Sequence, residues 1–252
     1  MSSKIFRIAS VIVLAGLALS SAAGATCSND SLSGTYGFLH DGTDSNGTPA
    51  TAAVSQITFD STTGTFTVET TASHDGVIAT DSTTGTYAVA SNCTGTGTPR
   101  GAIPFSFVVT STGFLAAHLL SEGFAVKQGS PTCTNAGVEG SFGFETTGVF
   151  LAGAPATGAV AFIGELKLTV NPAGEGVISG HVASSEDGTF LTFADEPVRG
   201  TYSVDADCRV TASIKPKVLS EMHFRLLVVD DGKEMLAIET DADTVVSGTL
   251  QR

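Results

Sequence analysis

The chain has no tryptophan, only four cysteines, five histidines, and 12 lysines and arginines among its 252 residues. Each scarcity excludes something. Against those 12 bases stand 25 carboxylates, for a formal charge of −13, so phosphate backbones and anionic lipid faces repel the chain and no nucleic-acid partner is expected. The cysteines include no C-x-x-C pair, which removes the usual redox and zinc spacings. No G-x-S-x-G, H-E-x-x-H, Walker loop or dinucleotide fingerprint occurs. Gly95, Gly97 and Gly101 read as a Thr-rich turn region, not a strand-to-helix phosphate loop. No catalytic, cofactor-binding or metal-binding residue is assigned, and no cofactor is expected. The acidic pairs Asp205–Asp207, Asp230–Asp231 and Asp241–Asp243 lack the spacing of a calcium loop. They read as solvated turns.

Long apolar runs are also missing, with one exception. Residues 8–19 follow Lys4 and Arg7 and precede the small residues Ala23, Gly24 and Ala25. This is the pattern of a secretory signal peptide, residues 1–25, cleaved near Ala25. The run is too short for a membrane span, and no later segment reaches 18 apolar residues, so no membrane span is expected. Cleavage leaves 10 basic against 25 acidic residues, a charge of −15. The expected location is secreted or periplasmic. The sequons at Asn29 and Asn46 are expected to stay unmodified, because the leader is bacterial in style.

What is present is repetition. Cys27 opens CSNDSLSGTYGF and Cys133 opens CTNAGVEGSFGF. Residues 85–93, GTYAVASNC, are answered by residues 200–208, GTYSVDADC. Gly34, Tyr36, Gly37 and Phe38 align with Gly140, Phe142, Gly143 and Phe144. Tyr87 and Cys93 align with Tyr202 and Cys208. Phe105, Val109, Gly113 and Gly129 align with Phe224, Val228, Gly232 and Gly248. The growing offset places about nine extra residues in the middle of the second copy and four after its second cysteine. Each copy is domain-sized, giving repeats at 26–131 and 132–252. A smaller echo, DSTTGT at 60–65 and 81–86, reads as two similar turns feeding adjacent strands.

Short Val, Ile, Phe and Thr runs alternate with period two between Gly, Asn and Asp clusters. Phe66 and Val68 share one face; so do Ile103, Phe105, Phe107 and Val109, and so do Leu166, Leu168 and Val170. Such half-buried strands, seven to nine per copy, predict an all-β protein of two tandem small antiparallel barrels with up-and-down meander topology. A sandwich of two sheets fits the same pattern.

Four cysteines in an exported chain point to disulfides. Three pairings exist, and the repeat favours Cys27–Cys93 with Cys133–Cys208. Closing a 66-residue loop is worth about 4 kcal/mol in the chain-entropy model.

Histidines do not recur between copies: His40 aligns with Thr146, His118 with Ala237, and His223 with Pro104. Glu221, His223 and Arg225 form the most polar patch on an otherwise apolar strand. That patch is either an acid–base group beside a fixed cation or the solvent face of a half-buried strand. Phe105, Phe107, Phe114, Phe124, Phe142, Phe144, Phe150 and Phe162 fall on strands or strand ends. A barrel either fills itself with such rings or leaves a pocket for a small hydrophobic molecule.

The paired openings and centres, with the close FRLLVVDDGKEMLAIETDADTVVSGTL, resemble a type of exported, uncharacterised bacterial β-rich protein. Its members share a Cys, Leu, Gly, Tyr-Gly-Phe opening, a Gly-Thr-Tyr-x-Val-x-x-x-Cys centre and a Val-Val-x-x-Gly-Lys-Glu close. Copy one departs from the close, so a role of Lys233 and Glu234 would be confined to copy two. The meander is similar in style to allene oxide cyclase-like and lipocalin-like barrels, from which no catalytic residue carries over. Three functions are weighed. The leading one is a non-enzymatic extracytoplasmic binding or envelope-associated module. The others are a cofactor-independent isomerase or cyclase and an adhesive or matrix protein.

Overall fold

The computed structural model describes residues 26–43, 49–118, 121–154, 157–186, 189–190, 196–217 and 220–252. The expected signal peptide and the sequon at Asn46 lie outside the described residues.

Barrel one is built from β1 (Gly34–Thr43), β2 (Pro49–Asp60), β3 (Thr65–His74), β4 (Val77–Val89), β5 (Thr94–Pro99), β6 (Phe105–Val109), β7 (Gly113–His118) and β8 (Ser121–Lys127). Each strand pairs antiparallel with the next, and β8 returns to β1, so the sheet closes and no edge is left. Barrel two repeats this with β9 (Gly140–Phe150), β10 (Gly158–Val170), β11 (Gly176–Glu186), a two-residue appendage β12 (Thr189–Phe190), β13 (Glu196–Val204), β14 (Arg209–Pro216), β15 (Met222–Val229), β16 (Glu234–Glu239) and β17 (Thr244–Gln251). β17 returns to β9 and β10 pairs β11, closing eight strands. The architecture is therefore two closed eight-stranded meander barrels in tandem, not sandwiches.

Alternation decides what faces in. Tyr36, Phe59, Phe66, Tyr87, Phe107 and Phe114 pack together inside barrel one. Phe142, Phe162, Leu166, Ile178, Leu226 and Met235 do so inside barrel two. Phe124 does not join them: it points outward, into the contact between the barrels.

The two copies share one floor. In each, a 3₁₀ turn, Asn29–Ser31 or Ala136–Val138, plugs one end of the barrel with a fully buried Leu32 or Val138. The Tyr87 hydroxyl donates to the Leu32 carbonyl at 2.9 Å, and the Tyr202 hydroxyl donates to the Asn135 carbonyl at 2.9 Å. The Asn29 and Asn135 side-chain oxygens accept from the Val89 and Val204 amides. Burial pushes both phenols up to about 12, so both remain neutral donors. Cys27 is bonded to Cys93 and Cys133 to Cys208, each tying its plug to the turn after the Gly-Thr-Tyr strand. Two disulfides point to an oxidising, extracytoplasmic environment.

Register corrects the alignment in three places. Gly123 opposes His40 as Gly248 opposes Thr146, so Gly248 corresponds to Gly123, not Gly129. Ala116 opposes Phe107 as Ala237 opposes Leu226, which puts His118 at the position of Glu239, not Ala237, and Gly113 at that of Glu234, not Gly232. The extra residues of copy two are also spread over several connections, so a constant offset within either half of the copy fails. Two turn assignments are overturned as well. Gly95 and Gly97 lie inside β5, and the second DSTTGT lies inside β4; their Gly and Thr content mimics a turn. Gly101 does sit in a turn, at φ 78°.

The barrels meet along a second apolar core. Leu39, Ala52 and Val54 on the outside of β1 and β2 pack on Leu227, Val229, Leu236 and Ile238 on the outside of β15 and β16. Hydrogen bonds flank this seam, from the Ser247 hydroxyl to Asp41 (2.6 Å), from the Gln56 side-chain amide to the Asp207 carbonyl (2.8 Å) and from the Ser130 amide to Asp231 (2.8 Å). Arg209 and Glu69 form an ion pair across it. Gly37 makes the close approach feasible: a Cβ there would collide with Val229 and stand 3.0–3.1 Å from Leu227 and Leu236. Its counterpart Gly143 is exposed, and a Cβ would meet only the Gln251 carbonyl at 3.8 Å.

Gly37→Ala is therefore expected to destabilise the protein by about 1–3 kcal/mol, the usual cost of overpacking. Gly143→Ala should stay within about 0.5 kcal/mol of wild type. Paired urea denaturation curves check this, and equal losses for the two variants would contradict the seam.

Candidate functional site: a pocket in the mouth of barrel one

With one end of each barrel plugged, the other end is where a ligand can enter. Here the copies differ. Among the described residues barrel two is filled: the void in its core is about 30 Å³, bounded by side chains such as Phe144, Leu166, Ile214 and Phe224. Barrel one holds a cavity of about 500 Å³, lined by all eight of its strands.

The difference comes from small residues at inward positions. Gly95, Gly97 and Ala125 occupy places that Val210, Ala212 and Leu250 hold in barrel two. The rings of Phe107 and Phe105 lie against Gly95 and Gly97, where any Cβ would strike them. Rings pressed against the wall leave the centre open.

The lining is sorted by depth. Phe38, Ile57, Phe66 and Val68 form the deeper walls, and Phe105 closes one side. One step nearer the mouth on β1, β2, β3 and β4 stand His40, Ser55, Thr70 and Thr83. The Ser55 and Thr70 hydroxyls are 2.7 Å apart, and the His40 ring lies 5.4 Å from that of Phe38. Glu122 stands at the rim, where it also borders a larger, shallow recess of about 1020 Å³ outside β5–β8. In barrel two the same register positions carry Thr146, Gly164, Val182 and Val198. The polar crown is thus particular to barrel one. Its trace in the sequence is slight: Thr70 continues the inward series Phe66, Val68, and His40 continues Tyr36, Phe38.

Glu221, His223 and Arg225 each have their own partner. Glu221 accepts from the Ser213 hydroxyl, His223 Nδ1 lies 2.7 Å from Asp241, and Arg225 donates to Thr211 at 2.9 Å. Further along the same outward face, Leu227 and Val229 enter the seam. The acidic pairs accept backbone hydrogen bonds. Asp205 accepts from the Asp207 and Arg209 amides, Asp231 from the Ser130 amide, and Asp241 from the His223 amide. Lys233 pairs with Asp230 at 3.5 Å, and Glu234 accepts from Gln251. Among the described residues, no three His, Cys, Asp or Glu side chains form a metal-binding group, and no helix is long and apolar enough to cross a membrane.

One buried acid was not legible in the sequence. Glu239 ends β16 on its inward face, 2% exposed, and its Oε2 has no hydrogen-bond partner. Burial, with the negative Asp241 close by, pushes its carboxyl up to about 8.

No protein-family model matches the chain, and no curated protein matches it. Among solved structures, it is similar to a DUF3598-family protein of unknown function from Nostoc punctiforme PCC 73102. The two are 12% identical, with a TM-score of 0.25, over 88% of this chain and 96% of that one.

Because the folded carboxyl of Glu239 holds its proton to higher pH than an unfolded one, stability falls as pH rises from about 4.5 to about 8. The full contribution is on the order of 4 kcal/mol. Glu239→Gln should raise the melting temperature most at pH 8.5, and the gain over wild type should shrink toward pH 5. A gain independent of pH would remove Glu239 as its source.

Proposed function

We propose that this chain is an exported, non-enzymatic binding protein that carries a small hydrophobic molecule in barrel one. In this reading residues 1–25 direct export, and the domains are 26–131 and 132–252. The observation that carries it is the contrast in volume, about 500 Å³ in barrel one against about 30 Å³ in barrel two. The larger value falls within the range of pockets that enclose small ligands, and its walls are mostly apolar with a few convergent polar groups, as such sites require. An adhesive face finds less support: among the described residues the exposed large apolar side chains, Val77, Ile103, Val108, Leu115 and Ile163, include no aromatic ring.

Titration of the oxidised protein with a solvent-sensitive apolar fluorophore should show one site per chain. Val68→Phe, which adds a ring to the pocket wall, should weaken that binding by about tenfold or more. Ile163→Ala, on the exposed face of barrel two, should leave it unchanged. Binding that ignores Val68→Phe, or native mass spectra of host-purified protein without any bound small molecule and no dye uptake, would sink the carrier reading.

A further inference from the structure

The groups that line the pocket of barrel one also restrict the head group of what it takes. Among the described residues, the lining contains three hydroxyls (Ser55, Thr70 and Thr83), one imidazole (His40) and one carboxylate (Glu122), and neither lysine nor arginine. Arg100, between the lining residues Pro99 and Ala102, is not itself in the lining; it borders a neighbouring hollow over Thr67, Glu69 and Ser82 that shares Val68 and Thr83 with the pocket. A carboxylate or phosphate head brought into this crown would lose its hydration without gaining a fixed cation, and a buried charge left so costs several kcal/mol. The rim carboxylate of Glu122 and the net charge of the chain oppose an anion further. An ammonium head has the opposite difficulty. Among the described residues the lining holds a single carboxylate, exposed at the rim and solvated, so it repays little of the ammonium's desolvation. A hydroxyl or carbonyl has neither cost. The Ser55–Thr70 pair can accept from or donate to it, because each hydroxyl rotates to suit its partner.

We infer that the pocket selects an apolar molecule with an uncharged hydroxyl or carbonyl head, of roughly 20 heavy atoms or fewer, and discriminates against the corresponding carboxylate. This rests on the carrier reading above. The apolar body lies against Phe38, Ile57, Phe66 and Val68, and the head meets His40, Ser55 and Thr70 near the mouth. The selectivity comes from the lack of a lysine or arginine among the described lining residues, not from shape.

The test is competition of 1-dodecanol, dodecanoate and dodecylamine, each below its micelle concentration, against the bound fluorophore on the full oxidised chain at pH 7.5. Dodecanol should bind at least about tenfold more tightly than dodecanoate, the ratio expected from leaving a carboxylate unpaired. Thr83→Lys, which supplies the missing cation, should reverse that order. Glu122→Gln, an exposed change that leaves the fold alone, should narrow the gap by about two- to threefold. Dodecanoate binding as well as dodecanol, or dodecylamine binding tenfold more tightly than either, would overturn the selectivity and leave the carrier reading standing. No binding of fluorophore or competitor would overturn both.

Discussion

The hydrogen bond from the Gly-Thr-Tyr tyrosine to the plug carbonyl is the contact on which the rest of the structure depends. A closed eight-stranded sheet has two open ends, and backbone groups at both must be satisfied or reach water. Tyr87 and Tyr202 close one end in each copy by donating to carbonyls of the 3₁₀ turn, while Asn29 and Asn135 return an acceptor to the strand. The disulfide then holds the turn in place, so that the bond is made between groups already near one another. The cysteines, the plug asparagines and the Gly-Thr-Tyr strand that the two copies share in sequence belong to this floor. The small inward residues and the polar groups by which barrel one differs lie above it.

Above the floor, the two barrels use nearly the same register to opposite ends. Barrel two places Val210 and Leu250 inward and becomes solid. Barrel one has Gly95 and Ala125 in those places, and its phenyl rings fold back against glycine instead of crossing the centre. A void of this size is not stabilising: wall atoms that face it lose dispersion contacts. The crown of hydroxyls and imidazole adds polar groups that a filled core would exclude. A chain that keeps both features in one copy, beside a second copy that has neither, bears a local cost that folding alone does not require.

Much of this was legible in the sequence. The period-two runs gave the strands, the repeat gave the cystine pairing, and the turn residues gave the meander. The misses have physical reasons. Gly95, Gly97 and the second DSTTGT look like turns because small and β-branched polar residues suit both a turn and a strand under aromatic rings. Gly129 was matched to Gly248 because hairpins of different length shift the register after β6, and no residue type marks the shift. The pocket was not legible because its volume depends on how all eight inward faces sum. The seam did leave a signal: Leu226, Leu227, Val228 and Val229 are buried in succession, as are Met235, Leu236, Ala237 and Ile238. A strand apolar on both faces must be covered on both faces. Reading one face of β15 as a solvent face held for His223 and failed for Leu227.

The seam and the pocket turn out to be two faces of one strand pair. On β1 and β2, Phe38, His40, Ser55 and Ile57 line the cavity, while the alternate residues Leu39 and Val54 pack on barrel two. The wall that carries half of the polar crown is therefore backed by a solid body rather than by solvent. Gly37 brings that body to van der Waals range, and the bonds from Ser247 to Asp41 and from Gln56 to Asp207 fix the slide of one sheet on the other. An open barrel with glycine-rich strands on one side, β5 above all, needs a stiff side elsewhere if its lining groups are to keep their spacing. Barrel two, whose described interior leaves a void of only about 30 Å³, supplies that stiffness. The duplication is then a division of labour in which the solid copy holds the hollow one in shape.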